Sequence, residues 1–152
     1  MALQPWPQVR QGAKAHPVPS LQYQLRARGY VVTVDGDFGP KTATAVRAVQ
    51  REKKLTVDGI VGPRTWRALV VTVGRGDQGD AVRAAQEEFQ YRSGIEDPDT
   101  VLQIDGVFGP RTEKAVRNWQ RFLHDHDDPP TAVDGIVGPR TWQSLISGMY
   151  TG

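Results

Sequence analysis

Apolar residues recur at intervals of three and four along the chain, in short stretches opened or closed by proline or glycine. Val18, Leu21 and Leu25 form one stripe, and Ala81, Val82, Ala85 and Phe89 form its counterpart further on. That spacing predicts two short helices, with Pro17 and Pro19 in a first turn and Gly29 and Gly94 as C-terminal stops. A second helix follows in each half, carrying Ala45, Val46 and Val49, or Ala115, Val116, Trp119, Phe122 and Leu123. A third begins at Pro63 or Pro139 and carries Trp66 and Leu69, or Trp142, Leu145 and Ile146. Between helices two and three, Ile60-Val61 and Ile136-Val137 suit a short extended pairing.

The segments between the stripes repeat. Asp-Gly-Ile-Val-Gly-Pro-Arg-Thr-Trp stands unchanged at Asp58–Trp66 and Asp134–Trp142, and near copies occupy Asp35–Thr42 and Asp105–Thr112. The first pair of loops is offset by 76 positions and the second by 70, so two copies of the loop make one unit and the unit occurs twice. The upstream helices match at an offset of 64, which places insertions in the second unit near residues 94–102 and 124–130. Most positions of the loop have a physical reading. Asp35 accepts backbone N–H bonds in an Asx-turn, Gly36 permits positive φ, Phe38 is an apolar plug, and Pro40 presets the first helical residue. Gly39 then caps the helix, and Thr42 sits one turn in, where its hydroxyl can reach back to the loop.

Asp-Gly-x-Phe-Gly-Pro-x-Thr, followed by Ala-Val-Arg-x-x-Gln and by Asp-Gly-Ile-Val-Gly-Pro-x-Thr-Trp, resembles the peptidoglycan-binding domain 1 family, in both copies. The resemblance spans residues 9–71 and 73–147. It implies a mainly all-α chain of two tandem three-helix units with minimal β pairing. It also implies a non-catalytic role in attaching bacterial proteins, often cell-wall hydrolases, to peptidoglycan.

Composition narrows the alternatives. The 152 residues contain no cysteine, which removes disulfide frameworks, thiol nucleophiles and cysteine metal sites. Units this small bury only about 60% of their unfolded surface, so each is expected to lean on its few large apolar side chains. The net charge of +2 conceals opposite halves: residues 1–72 hold 11 Lys/Arg against 4 Asp/Glu, and residues 73–152 hold 8 against 13. The asymmetry allows a basic unit facing an anionic polymer, drift of solvated surfaces, or salt-sensitive head-to-tail self-association of an otherwise monomeric chain. The basic residues are scattered, without the arginine runs or interleaved aromatics of a nucleic-acid surface. No apolar run approaches the ~20 residues of a membrane span, and Met1–Pro7 shows neither a charged leader nor an apolar core, so the wall or extracellular location that the resemblance implies is expected without a visible signal peptide. Trp6 and Tyr150 fall in segments read as tails, and the linker Val71–Asp77 allows a fixed or a hinged pair.

Candidate chemistry is sparse. His124-Asp125-His126-Asp127-Asp128 is the one stretch with metal-like composition, but it lies in an insertion and lacks the helical spacing of zinc hydrolases, so neither a metal nor any other cofactor is expected from His124 and His126. Asp35, Asp58, Asp105 and Asp134 are explained by turns, which leaves no carboxylate pair and no catalytic residues. For binding, the loop–helix junctions supply backbone amides, hydroxyls and cations: Asp35, Lys41 and Thr42; Asp105, Arg111 and Thr112; and Arg64 and Arg140 before the third helices. Trp66 and Trp142 offer sugar-stacking faces or core packing. Two other readings stay open: a protein-interaction module in a phage or secretion assembly, and a hydrolase built on the histidine insertion. Peptidoglycan is the expected partner, with a hydrolase or assembly protein as companion.

Overall fold

The computed structural model describes residues 3–93, 102–126 and 130–148. Six helices follow in order: α1 Val18–Ala27, α2 Pro40–Glu52, α3 Pro63–Leu69, α4 Asp80–Ser93, α5 Pro110–His126 and α6 Pro139–Ser147. Four of them open on the proline of a Gly-Pro pair. In α2, α3 and α6 the preceding Gly39, Gly62 and Gly138 cap the helix in extended backbone, and proline's fixed φ starts the first turn where no N–H is needed.

Among the described residues the β content consists of isolated bridges that repeat with the sequence. Val9 pairs with Val61 as Val73 pairs with Val137, and Lys14 pairs with Asp37 as Gln78 pairs with Val107. The extended pairing expected at Val61 and Val137 is therefore present, and its partner strand is the stretch ahead of each first helix. For the second unit that stretch is the linker, which is a structural part of the unit and no free tether.

The N-terminal segment is likewise no tail. Trp6 is buried and its ring is stacked on Trp66 at 6.1 Å between centroids. Pro7 O accepts the Trp66 indole N–H, and Gln4 O accepts a hydrogen bond from Gln143 of the second unit. Tyr150, Gly94 and Asp127–Asp128 lie outside the described residues. The insertion at 124–130 begins as helix: α5 runs 17 residues against 13 for α2 and carries both histidines on its last turn.

The two units do not keep separate cores. One apolar cluster runs from Trp6 through Leu21, Leu25, Phe38 and Trp66 to Val82, Phe108, Trp142 and Ile146. It is continuous because α1 packs on α4, its own counterpart. The partners run in opposite order along the two helices: His16 and Ser20 meet Glu88, whereas Arg26 meets Asp80. The equivalent helices therefore cross antiparallel, in the manner of the self-complementary contact of a symmetric dimer. Glu88 is fully buried there, held by His16 Nε2 at 2.8 Å and by the Ser20 hydroxyl at 2.7 Å. A carboxylate taken out of water requires such partners. Part of the opposite charge of the two halves is thus consumed inside the molecule, basic groups of the first unit against acidic groups of the second. The linker is pinned as well, with Trp142 Nε1 donating to Val71 O and Arg28 donating to Leu69 O and Val70 O. The pair is fixed, not hinged.

Candidate functional site

The four loops share one internal device. A glutamine on the helix ahead of each loop lies buried beneath it: Gln22, Gln50, Gln86 and Gln120. In the second loop, Gln50 Nε2 donates to Asp58 Oδ1 at 3.0 Å, to Ile60 O at 3.0 Å and to Thr65 Oγ1 at 3.2 Å, while Oε1 accepts from the backbone N–H of Asp58 and of Gly59. Gln22 makes the same contacts with Asp35, Asp37 O, Thr42 and the amides of Asp35 and Gly36. Gln86 repeats them around Asp105 and Thr112, and Gln120 around Asp134 and Thr141. An amide is suited to this place because it carries donors and an acceptor on one planar group, and a loop backbone needs both.

The aspartate completes each turn. Asp35, Asp58 and Asp105 accept the N–H of the residue two positions on, at 2.9 Å, which is the expected Asx-turn. These carboxyls are held below the usual carboxylate range, first by that backbone N–H, with the glutamine amide adding to it. Beside the turn, a guanidinium lies against the positive-φ glycine in three of the loops: Arg47 over Gly59, Arg83 over Gly106 and Arg117 over Gly135. A Cβ there would press on the guanidinium, which can shift aside, whereas the positive-φ backbone is taken without strain only by glycine.

This scaffold fixes where the proposed site residues stand. Thr42 and Thr112 are buried and accept from the glutamine amide, so their hydroxyls serve the loop from inside and offer nothing to a polymer. Thr42 therefore answers the preceding helix, not the loop backbone as its helix position had suggested. Trp66 and Trp142 are fully buried and spend their N–H groups on Pro7 O and Val71 O, which leaves no ring face for stacking on a sugar. Asp35 and Asp105 are exposed but engaged in their turns. The cations are exposed at every copy of the position after Gly-Pro: Lys41, Arg64, Arg111 and Arg140, the last donating to the Thr131 hydroxyl.

Two of those cations line matching clefts. The second loop walls a cleft of about 420 Å³ with Gln50, Leu55, Thr56, Asp58, Ile60 and Arg64. The third loop walls one of about 180 Å³ with Gln86, Leu102, Gln103, Asp105, Val107 and Arg111. From Leu55 to Arg64 each residue of the first set has its equivalent 47 positions later, and the glutamines, on the helices ahead of the loops, are 36 apart. Gln8 and Arg67 enlarge the first cleft alone. Lys41 instead borders a separate groove with Tyr30 and Val31.

The histidine stretch is helix surface. His124 Nδ1 lies 2.9 Å from Thr131 O and His126 Nδ1 2.7 Å from Phe122 O, and no group of three or more metal-ligating side chains occurs among the described residues.

The repeating architecture agrees with the sequence comparison. A family model described as "Putative peptidoglycan binding domain" matches residues 15–69 and again 78–145, most of the chain. The chain belongs to this peptidoglycan-binding family. It is a tandem, mainly helical peptidoglycan-binding module. None of the curated proteins matches it significantly. Among solved structures it is similar to a Clostridioides difficile peptidoglycan-binding protein crystallised with glutamine hydroxamate, at 40% identity over 41% of this chain and 40% of that one, with a TM-score of 0.41. The SleB N-terminal domain is 38% identical over 42% of this chain and 89% of its own, with a TM-score of 0.41. A Burkholderia AP3 phage endolysin is 29% identical over 73% and 38%, with a TM-score of 0.42. The chain thus spans about two-fifths of the length of the first and last of these. No helix among the described residues of this peptidoglycan-binding module is long and apolar enough to cross a membrane.

Several groups that build the clefts are absent from the sequence-based candidates, Leu55, Leu102 and Arg67 among them, and the glutamines are the ones that hold the loops. The signal was present: one glutamine stands on the helix ahead of every Asp-Gly loop, at Gln22, Gln50, Gln86 and Gln120. A polar residue held at four equivalent helix positions is a candidate for a buried partner.

Proposed function

We infer that the module binds peptidoglycan non-catalytically through the loop clefts, at the cell wall, and that it serves as the wall-targeting part of a larger hydrolase or assembly. The observation that carries this reading is the recurrence of one cleft, walled by loop residues 47 positions apart over a buried glutamine, on the second and third loops. Binding energy then comes from the exposed parts of the cleft: Arg64 and Arg111 at the rim and aliphatic Leu55 and Ile60, or Leu102 and Val107, along the wall. The turn aspartates and threonines contribute by holding the wall in shape.

Co-sedimentation with purified insoluble peptidoglycan, with the supernatant assayed for released muropeptides, tests the reading. Saturable retention without release supports it. Failure to sediment with peptidoglycan, or release of muropeptides by the chain alone, would refute it.

A further inference from the structure

Building on that reading, we propose that the cleft of the second loop selects a carboxylate on the peptide part of the wall polymer, seated by Arg64 and Arg67, and that the glycan contributes little there.

The lining argues for a peptide in three ways. First, Arg64 and Arg67 stand three positions apart on α3, so both guanidinium groups rise from one face beside the cleft. Second, both are exposed, and neither forms an ion pair or side-chain hydrogen bond among the described residues. Several other guanidinium groups are committed: Arg26 and Arg83 to Asp80, Arg117 to Glu113, Arg28 and Arg92 to backbone carbonyls. Two uncommitted planar forks next to each other match a carboxylate, which takes paired N–H donors. Third, no aromatic ring lines the cleft. The nearest tryptophan in sequence, Trp66, faces the core, so a pyranose has no platform to stack on, whereas Leu55 and Ile60 suit an aliphatic peptide side chain.

The one carboxylate in the lining, Asp58, also sets the direction of binding. Its Oδ1 is taken by Gln50 Nε2 and the Ile60 amide, and it is held ionised. A ligand carboxylate is repelled from that end of the cleft and drawn to the arginine end. The excess of basic over acidic residues in the first half, 11 against 4, adds to the attraction at longer range.

The test is calorimetric titration of the whole chain with three soluble probes: a disaccharide-peptide fragment of peptidoglycan, the same fragment with its peptide carboxylates amidated, and an uncharged N-acetylglucosamine oligomer. The first should bind, amidation should weaken it by about tenfold or more, the size of one lost charge-assisted contact, and the oligomer should bind no better than the amidated fragment. The double variant Arg64→Gln/Arg67→Gln should lose the preference for the free carboxylate while melting at the wild-type temperature, because both side chains are exposed. Arg64→Lys/Arg67→Lys should fall between, keeping charge without the fork. Equal affinity for the free and amidated fragments, or an unchanged preference in the glutamine variant, overturns the inference with wall binding left intact. No retention by insoluble peptidoglycan overturns the parent reading instead, and this inference with it.

Discussion

Replacing Gln50 by leucine should cost the protein about 3–5 kcal/mol. The side chain makes five hydrogen bonds, each worth a net ~1 kcal/mol. Leucine has similar bulk but neither donor nor acceptor, and it leaves the amide of buried Gly59 facing an apolar group. Partners with access to water, such as exposed Asp58, recover part of the loss, which keeps the figure below the sum of worst cases. The result is a large share of the 5–15 kcal/mol that typically stabilises a domain. Because one apolar cluster joins both units, the loss should appear as a lower midpoint of a single urea transition, not as unfolding of one half. Gln50→Glu is an informative companion. Glutamate keeps the acceptor toward the amides of Asp58 and Gly59 but cannot donate to Asp58 or the Ile60 carbonyl, and it sets two carboxylates together. It should therefore be at least as damaging at neutral pH and partly recover on acidification, when a protonated carboxyl regains one donor. The same pair of substitutions at Gln120 should behave alike. Losses below ~1 kcal/mol for leucine at both positions would show that the shared network is not what holds these loops.

Two further outcomes follow from single groups. Glu87 is pushed up to about 7, chiefly by burial and then by the neighbouring Glu88, against the opposing pull of His16 and Arg92. Its folded value lies above the unfolded 4.5, so stability is fullest below pH 4.5 and falls as the pH rises through 7. At about 1.4 kcal/mol per pH unit, trimmed by the carboxyl's partial contact with water, Glu87→Gln should gain on the order of 2 kcal/mol at pH 8 and little at pH 5. His16 is common to both proteins, so the difference between their urea midpoints isolates Glu87; parallel pH curves would contradict the assignment. Gly59 sits at φ +73°, where an added Cβ would meet the Arg47 guanidinium at 3.0 Å. Gly59→Ala should cost about 1–2 kcal/mol by thermal melting, and most of that cost should persist beside Arg47→Ala, since the flexible arginine can move and the backbone cannot.

The helix starts were legible because proline and glycine act locally: Gly-Pro at 39–40, 62–63 and 138–139 forces the same cap wherever it occurs. Phe38 and Phe108 as core plugs, and the Asx-turns, were readable for the same reason. What escaped depends on distance along the chain. Trp6 looks like a tail residue until residues 55 and 60 positions later close over it as Val61 pairs with Val9 and Trp66 meets its ring. Glu88 reads as surface charge on an amphipathic helix, and only the packing of α4 on α1 turns it into a buried partner of His16 and Ser20. In the candidate site, the cations at Lys41, Arg64, Arg111 and Arg140 were visible as a repeated position, but which of them line a matching cleft follows from how each loop is walled. Arg67 has no such repeat to mark it, since glutamine stands at the matching position in the identical copy of the motif, at Gln143.

The fixed pairing of the units changes what tandem duplication can contribute. With a flexible linker, a second site gains from an effective concentration set by linker length. Here Val73 is paired with Val137, Val71 accepts the Trp142 indole N–H, and α1 lies against α4, so no linker length remains to be tuned. Two clefts can act together only if the wall polymer presents its groups at the separation and direction the packing imposes. Equivalent helices that cross antiparallel turn the units in opposed senses, so one strand running in one direction does not meet both in the same way. The shared core has a second consequence. Disrupting one unit to leave the other as a lone binder is expected to unfold both, so the contribution of each cleft has to be read from exposed substitutions such as Arg64→Gln and Arg111→Gln, which leave the core intact.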